Sequence, residues 1–427
     1  MAHRVILHAD MNNCYAAIEC LHRPELSGFP VAVAGDPTER HGIILAKNTA
    51  AKALGVKTGE AIWQARRKCP ELILVPPNFP LYARFSRLFR GILLSYTDMV
   101  EPFGIDEAWL DVSGSMGLWG DGQHIADDIR RRVREELGVT VSVGVSFNKV
   151  FAKMGSKLQK NDATMVISRE NYKSVVWPLP AGQMIFLGRK TLPKLQRRGI
   201  DTIGDLAACS PEYLRGLLGK WGETLWSNAN GLDDSPVALY DERSDIKSVS
   251  NSTTCPRDLV TREEVRLIVY VLSESVAERL RQYRLKGRVV AVSVRDKELC
   301  RFTRQCTLTR PTDLSGTIAA AALRLINAHW YWNTGIRSLG VRVSELQSGS
   351  IPLQIEVFNP EDERHEEALE RTLDSLRARF GRYSVQRAIM LSDTELSGFD
   401  PAGETTINSV AFNSEVNRNA EKHRKCK

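Results

Sequence analysis

No stretch of the 427-residue chain approaches the roughly 20 consecutive apolar residues that a membrane-spanning helix needs, so no spanning helix is expected. Also missing at the start is a basic segment followed by an apolar core and a cleavage site, so no secretory leader is predicted. Cysteine is sparse and scattered. The eight thiols stand at 14, 20, 69, 209, 255, 300, 306 and 426, with no C-x-x-C pair. That spacing argues against zinc sites and a disulfide framework, and fits reduced thiols in the cytoplasm. What remains is a globular composition, 43% hydrophobic and 26% charged, in a chain too long for one ordinary core. Several domains are expected.

The net charge of +7 is unevenly placed. Residues 242–345 hold 18 Lys and Arg against 11 Asp and Glu, whereas residues 171–241 hold 8 against 7. A basic quarter of the chain points to a polyanion, most simply nucleic acid, although a solvated basic face has the same composition.

The chain is organised around His8-Ala9-Asp10-Met11-Asn12-Asn13-Cys14-Tyr15-Ala16-Ala17. Val5-Ile6-Leu7 ahead of it is a β-branched apolar run that reads as a buried strand, and Tyr15 onward reads as a helix start. A carboxylate thus ends a core strand, with an aromatic ring five residues on. Residues 99–112 read as two strands joined by a tight turn near 103–105, carrying Asp106 and Glu107. Adjacent strand residues point to opposite faces, so the backbone must bend for both to serve one ion. Asp111, an odd number of residues from Asp106, is expected on the other face and is left out. Hard oxygen ligands of this kind suit Mg²⁺ shared with substrate phosphates. Spacing alone equally fits three unrelated surface acids.

Alternating strands and helices to about residue 167 predict an α+β sheet domain with helices packed on it. Residues 187–206 read as a helix, a glycine turn and a helix, with a looser copy near 218–222. Exposed N–H groups at such turns suit DNA phosphates. Beyond a polar linker at 235–245, the order is strand 246–254, helix 262–285, strands 288–295 and 301–308, helix 313–329 and strand 336–345. This βαββαβ pattern predicts a four-stranded sheet with two helices on one face. Lys247, Arg288, Arg295, Arg301, Arg304 and Arg342 punctuate its strands. The run 329–332 reads as packing. A charged helix is expected over 361–380 and a disordered end from about Ser392.

Three stretches carry a resemblance: Asp10 to Ala16, Gly104 to Asp111, and Gly144 to Lys153. In this order and spacing the chain resembles a Y-family translesion DNA polymerase of the DinB, or DNA polymerase IV, branch, over residues 3–346. The resemblance implies an α+β multidomain right hand with four parts. These are a palm (1–30 and 80–170), small fingers (31–79), a helix-hairpin-helix thumb (171–238) and a βαββαβ little finger (244–346), followed by a tail (347–427). It implies that Asp10, Asp106 and Glu107 are catalytic and hold two Mg²⁺, with the Met11 carbonyl as a further ligand. Tyr15 becomes the steric gate against a ribose 2′-hydroxyl. Asn13, Cys14, Thr49, Lys52 and Lys160 fall at nucleotide-binding positions. Thr49 and Lys52 depart from the family's usual Tyr and Arg, Gly104 from a common Ser, and Asn12 from a second acid. Residues 354–358 resemble a bacterial sliding-clamp peptide through Gln354, Val357 and Phe358. The implied activity is low-fidelity, template-directed DNA synthesis by a monomer on primer-template DNA with dNTPs. The alternatives are a catalytically silent DNA- and clamp-binding adaptor, or a two-metal nuclease.

Overall fold

The computed structural model describes residues 4–36, 42–242, 245–349 and 360–399. They divide into two compact units, residues up to 242 and residues from 245. Gln354, Val357 and Phe358 lie outside the described residues.

Unit 1 is built on a five-stranded sheet in the order Val100–Pro102, Glu107–Asp111, Ile6–Met11, Val141–Ser146, Thr164–Ile167. All neighbours are antiparallel except the last pair. Every residue of Ile6–Met11 is buried because both faces of the sheet are covered, polar His8 and Asp10 included, which explains the apolar start Val5-Ile6-Leu7 where alternation would mark a one-sided strand. Leu7, Ala9 and Met11 enter a core shared with the helices Phe79–Leu94 and Gly122–Leu137. Ile6, His8 and Asp10 have the opposite parity, and Ile6 packs with Trp109 and Ala152 of helix Lys149–Leu158. That helix approaches closely at Gly144, where an added Cβ would lie 1.9 Å from the Ala152 carbonyl oxygen. Only glycine fits there.

A smaller three-stranded sheet, Ile44–Lys47, Val31–Ala34, Ile73–Val75, carries the short helices Thr49–Ala53 and Ile62–Lys68 around its own core. The helices Tyr172–Val176, Leu192–Gln196, Ile203–Ala208, Pro211–Leu218 and Lys220–Ala229 share a third core with helix Lys149–Leu158.

Unit 2 has the expected βαββαβ order. Its antiparallel sheet runs Arg301–Thr312, Leu285–Asp296, Ile336–Ser348, Ser248–Leu259, and helices Arg262–Gln282 and Ser315–His329 pack with its apolar side. The opposite side carries Arg301 beside Arg295, and Arg342 beside Ser250, among Ser and Thr residues. Arg288 and Arg304 fall on the apolar side's parity, so only part of the basic punctuation shares the open face. In the 329–332 run, Trp330 stacks on Phe302 at 5.9 Å while Tyr331 stays exposed.

The tail departs from expectation. The helix Pro360–Phe380 forms, but the chain stays ordered past Ser392: Thr394–Ser397 is helical and Leu396 is fully buried. The charges of this segment are internal partners of the domain. Arg281 pairs with Glu370 at 2.8 Å and Asp374 at 2.6 Å, and Glu274 pairs with Arg377 at 2.8 Å and Arg387 at 2.7 Å. Arg281→Ala leaves Glu370 and Asp374 without that cation, so a loss of about 3 kcal/mol in urea unfolding is expected. A loss below 0.5 kcal/mol would show that the clasp contributes nothing.

Candidate active site

Three carboxylates meet at one end of the unit 1 sheet. Asp10 and Glu107 are cross-strand partners, and the Met11 N–H donates to the Asp106 carbonyl at 2.9 Å. The bend that lets adjacent Asp106 and Glu107 serve one site is built at Gly104, whose φ of +110° suits glycine. Helix Phe79–Leu94 holds this turn from behind. Buried Arg90 donates to the Gly104 carbonyl at 2.8 Å, and the Ser86 hydroxyl donates to the Ile105 carbonyl. Asp111, four residues on from Glu107 in one regular strand, shares its face and that of Asp10. It stands at the far end of the strand, opposite Ile6, where it pairs with Arg4 at 3.6 Å.

The electrostatics are those of a crowded anion site. Burial, then the charges of Asp10 and Glu107, push the Asp106 carboxyl up to about 6. Glu107 goes the other way: burial disfavours its charge, but hydrogen bonding and charge from His8 and Lys153 outweigh it and hold the carboxyl at about 2. Lys153 donates to Glu107 Oε2 at 2.5 Å, and His8 Nε2 lies 3.4 Å from the same oxygen. Lys160 donates to Asp10 Oδ2 at 2.7 Å. As these side chains lie, no three His, Cys, Asp or Glu groups among the described residues are poised to hold a metal ion. Ammonium groups hold Glu107 and Asp10 instead. The donor set itself fits a hard divalent cation: carboxylate oxygens in mutual repulsion, one of them protonated up to about pH 6.

Because folding raises the Asp106 pKa, the folded protein binds that proton more tightly than the unfolded chain does. Stability therefore falls as pH climbs from about 4 through about 6, and the repulsion is fully expressed above that. Asp106→Asn is expected to stabilise metal-free protein at pH 7.5 by up to about 3 kcal/mol, with the gain gone near pH 4. Thermal unfolding in chelator at both pH values checks this, and an equal shift at both would refute it.

Tyr15 sits on the first turn of helix Cys14–His22. Its ring lies flat on Tyr82 at 4.3 Å and edge-on to Phe79 at 6.2 Å. Tyr82 is in turn anchored by its hydroxyl on Glu19 at 2.7 Å. Burial, then the charge of Asp106, push the Tyr15 hydroxyl up to about 12. Asn13, at φ +51°, precedes the helix without capping it, so the first helical N–H groups lack an intrahelical acceptor. Its side chain donates to Thr49 at 3.3 Å, and Cys14 is buried. Lys52 is exposed on helix Thr49–Ala53, close to Lys47 at the end of strand Ile44–Lys47; burial and then the Lys52 charge lower the Lys47 pKa. Asn12 is structural: it accepts from Ser142 at 3.0 Å and donates to Thr140 at 3.1 Å.

Residues 9–157 match the impB/mucB/samB family, and residues 246–356 match the impB/mucB/samB family C-terminal domain. A DNA polymerase IV of Acetivibrio thermocellus is 51% identical over 395 residues, covering 92% of this chain and 99% of that protein. This chain belongs to the impB/mucB/samB family, in its Y-family DNA polymerase IV branch. DNA polymerase IV 1 of Bacillus subtilis is 36% identical over 92% of this chain and 94% of its own length. In fold, the Y-family DNA polymerase chimera Dbh-Dpo4-Dbh matches with a TM-score of 0.70 over 81% of this chain and 99% of that one, at 22% identity.

Within this Y-family frame, sequence reasoning missed the support behind the carboxylates. His8, Arg90 and Lys153 are buried polar residues that hold Glu107 and the Gly104 turn. His8 and Lys153 had a legible signal, since each shares the period of a neighbour on the carboxylate face. Arg90 had none, lying in an amphipathic helix of mostly apolar residues.

Proposed function

We propose that this chain is a template-directed DNA polymerase of low fidelity, working in translesion synthesis. It adds dNTPs to a primer 3′-hydroxyl with release of pyrophosphate. The observation that carries the reading is the meeting of Asp10 with Asp106 and Glu107 at one sheet end, with Tyr15 beside Asp106. Asp10, Asp106, Glu107 and the Met11 carbonyl would hold two Mg²⁺. Bound there, Mg²⁺ supplies activation of a hydroxyl and neutralisation of a leaving oxygen. Glu107 and Asp10 would then be held by those ions in place of Lys153 and Lys160, and the Lys160 ammonium would be available to a triphosphate. The N–H groups of Asn13 and Cys14 would add an anion-binding helix end, with Thr49 held beside it by the Asn13 amide and Lys52 on the same short helix as Thr49.

The palm, fingers, thumb and little finger take the bounds 1–30 with 80–170, 31–79, 171–238 and 244–346. Separate cores for the small sheet and for unit 2 support that division, while the helical segment packs on helix Lys149–Leu158. Arg295, Arg301 and Arg342 among hydroxyl side chains suit a phosphate backbone. Gln354, Val357 and Phe358 would dock the protein, a cytoplasmic monomer, on a bacterial sliding clamp; support for this is the sequence pattern alone.

Primer extension with four dNTPs and Mg²⁺ tests the reading. Growth of the primer by the templated sequence is expected. Shortening would point to a nuclease, and DNA binding without any change in the primer to a silent adaptor.

A further inference from the structure

Lys153 and Lys160 each hold a carboxylate of the site, but they are confined differently. Lys160 follows the end of helix Lys149–Leu158 with its side chain 32% exposed, so it can turn into solvent once an ion takes Asp10. Lys153 stands inside the helix with its side chain 5% exposed. Around its ammonium lie Glu107 Oε2 at 2.5 Å, His8 Nε2 at 3.5 Å, and the ring centres of Phe103 and Trp109 at 4.4 and 5.4 Å.

These walls are themselves held. The His8 ring is fully buried, its Nδ1 2.7 Å from the Ser156 hydroxyl on the same helix as Lys153. Trp109 donates its indole N–H to the Lys149 carbonyl at 2.9 Å, and the tight approach at Gly144 pins the helix to the sheet. An ammonium enclosed in this way stays beside Glu107 whether or not an ion is bound. Its fallback partners, an imidazole nitrogen and two aromatic faces, hold a cation less strongly than a carboxylate does.

We propose that Lys153 is a resident counter-ion: a positioning residue that holds Glu107 in the metal-free site, competes with the divalent cation for it, and so sets the ion concentration at which the site fills. The inference rests on the assignment of Asp10, Asp106 and Glu107 as metal ligands. Two effects act in the same direction. An arriving ion must break the ammonium's bond to Oε2, and it then shares a poorly hydrated site with a positive charge that has nowhere to go. Lys160 imposes only the first.

Lys153→Met removes the charge and keeps the apolar stem. Mn²⁺ is titrated into the full-length protein without DNA or nucleotide, and unbound ion is read by electron paramagnetic resonance. Lys153→Met is expected to bind roughly tenfold more tightly than wild type, and Lys160→Met no more than about threefold. In chelator Lys153→Met is expected to melt below wild type, since Glu107 loses its partner, with the gap closing as Mn²⁺ is added. Lys153→Gln, whose amide can still donate to Glu107, gives the same comparison should the methionine variant not fold, and is also expected to bind more tightly. A wild-type protein without Mn²⁺ even in its complex with primer-template and dNTP would remove the metal assignment and this proposal with it. Bound Mn²⁺ there, with affinity unchanged or lower in both neutral variants, would overturn the counter-ion role alone.

Discussion

Asp106→Ala is expected to lower the rate of single-nucleotide addition by roughly 10³-fold or more while leaving primer-template affinity within a few-fold of wild type. Asp10→Ala and Glu107→Ala are expected to do the same, and double variants to lose little beyond the singles, since the three groups act as one unit. The physical reason is the crowding at the sheet end. Asp106, raised to about 6 by burial and by its acidic neighbours, is poised to ionise fully once a cation enters. Loss of one carboxylate removes a ligand and part of the charge that attracts the others' ion. Retention of more than a tenth of the wild-type rate in any single variant would remove that residue from the catalytic set. Quench-flow with a radiolabelled primer gives the rate, and anisotropy of a labelled duplex gives the affinity.

Tyr15→Ala is expected to raise ribonucleotide incorporation by roughly 10²-fold or more relative to deoxynucleotide, with dNTP use changed only a few-fold. The ring can exclude a hydroxyl only if it cannot move aside. Tyr82 at 4.3 Å on its face and Phe79 on its edge prevent that, and Glu19 holds Tyr82 in turn. The same logic distinguishes Tyr15→Phe, which keeps the wall and is expected to keep the discrimination. Competition between a dNTP and its rNTP at one templating base measures the ratio. An unchanged ratio in Tyr15→Ala would place the barrier elsewhere.

Much of the fold was legible because pattern and packing agree. Ile6–Met11 has the composition of a strand covered on both faces, and unit 2 spells its strands and helices with turn residues between them. The carboxylates were legible as a resemblance and only loosely as spacing, because strand parity cannot foresee the bend at Gly104. Asp111 shares the Glu107 face by ordinary parity, four residues on in the same strand, and is kept out of the site by its distance along that strand. The tail was misread for a different reason. The stretch after Ser392 is polar, and the apolar residue that ties it down, Leu396, is buried in a core whose other members lie far back in the sequence. Lys153 is one of three lysines on helix Lys149–Leu158, set apart from the others by its burial against Glu107.

The most direct measurement counts divalent ions at the three carboxylates. Electron paramagnetic resonance of Mn²⁺, titrated into the protein with dideoxy-terminated primer-template and the matching dNTP, reports bound ions per chain. Two are expected in the wild type and at least one fewer in Asp106→Asn. A wild-type protein that forms the ternary complex yet binds no Mn²⁺ beyond that held by the nucleotide alone would contradict a two-metal site at Asp10, Asp106 and Glu107.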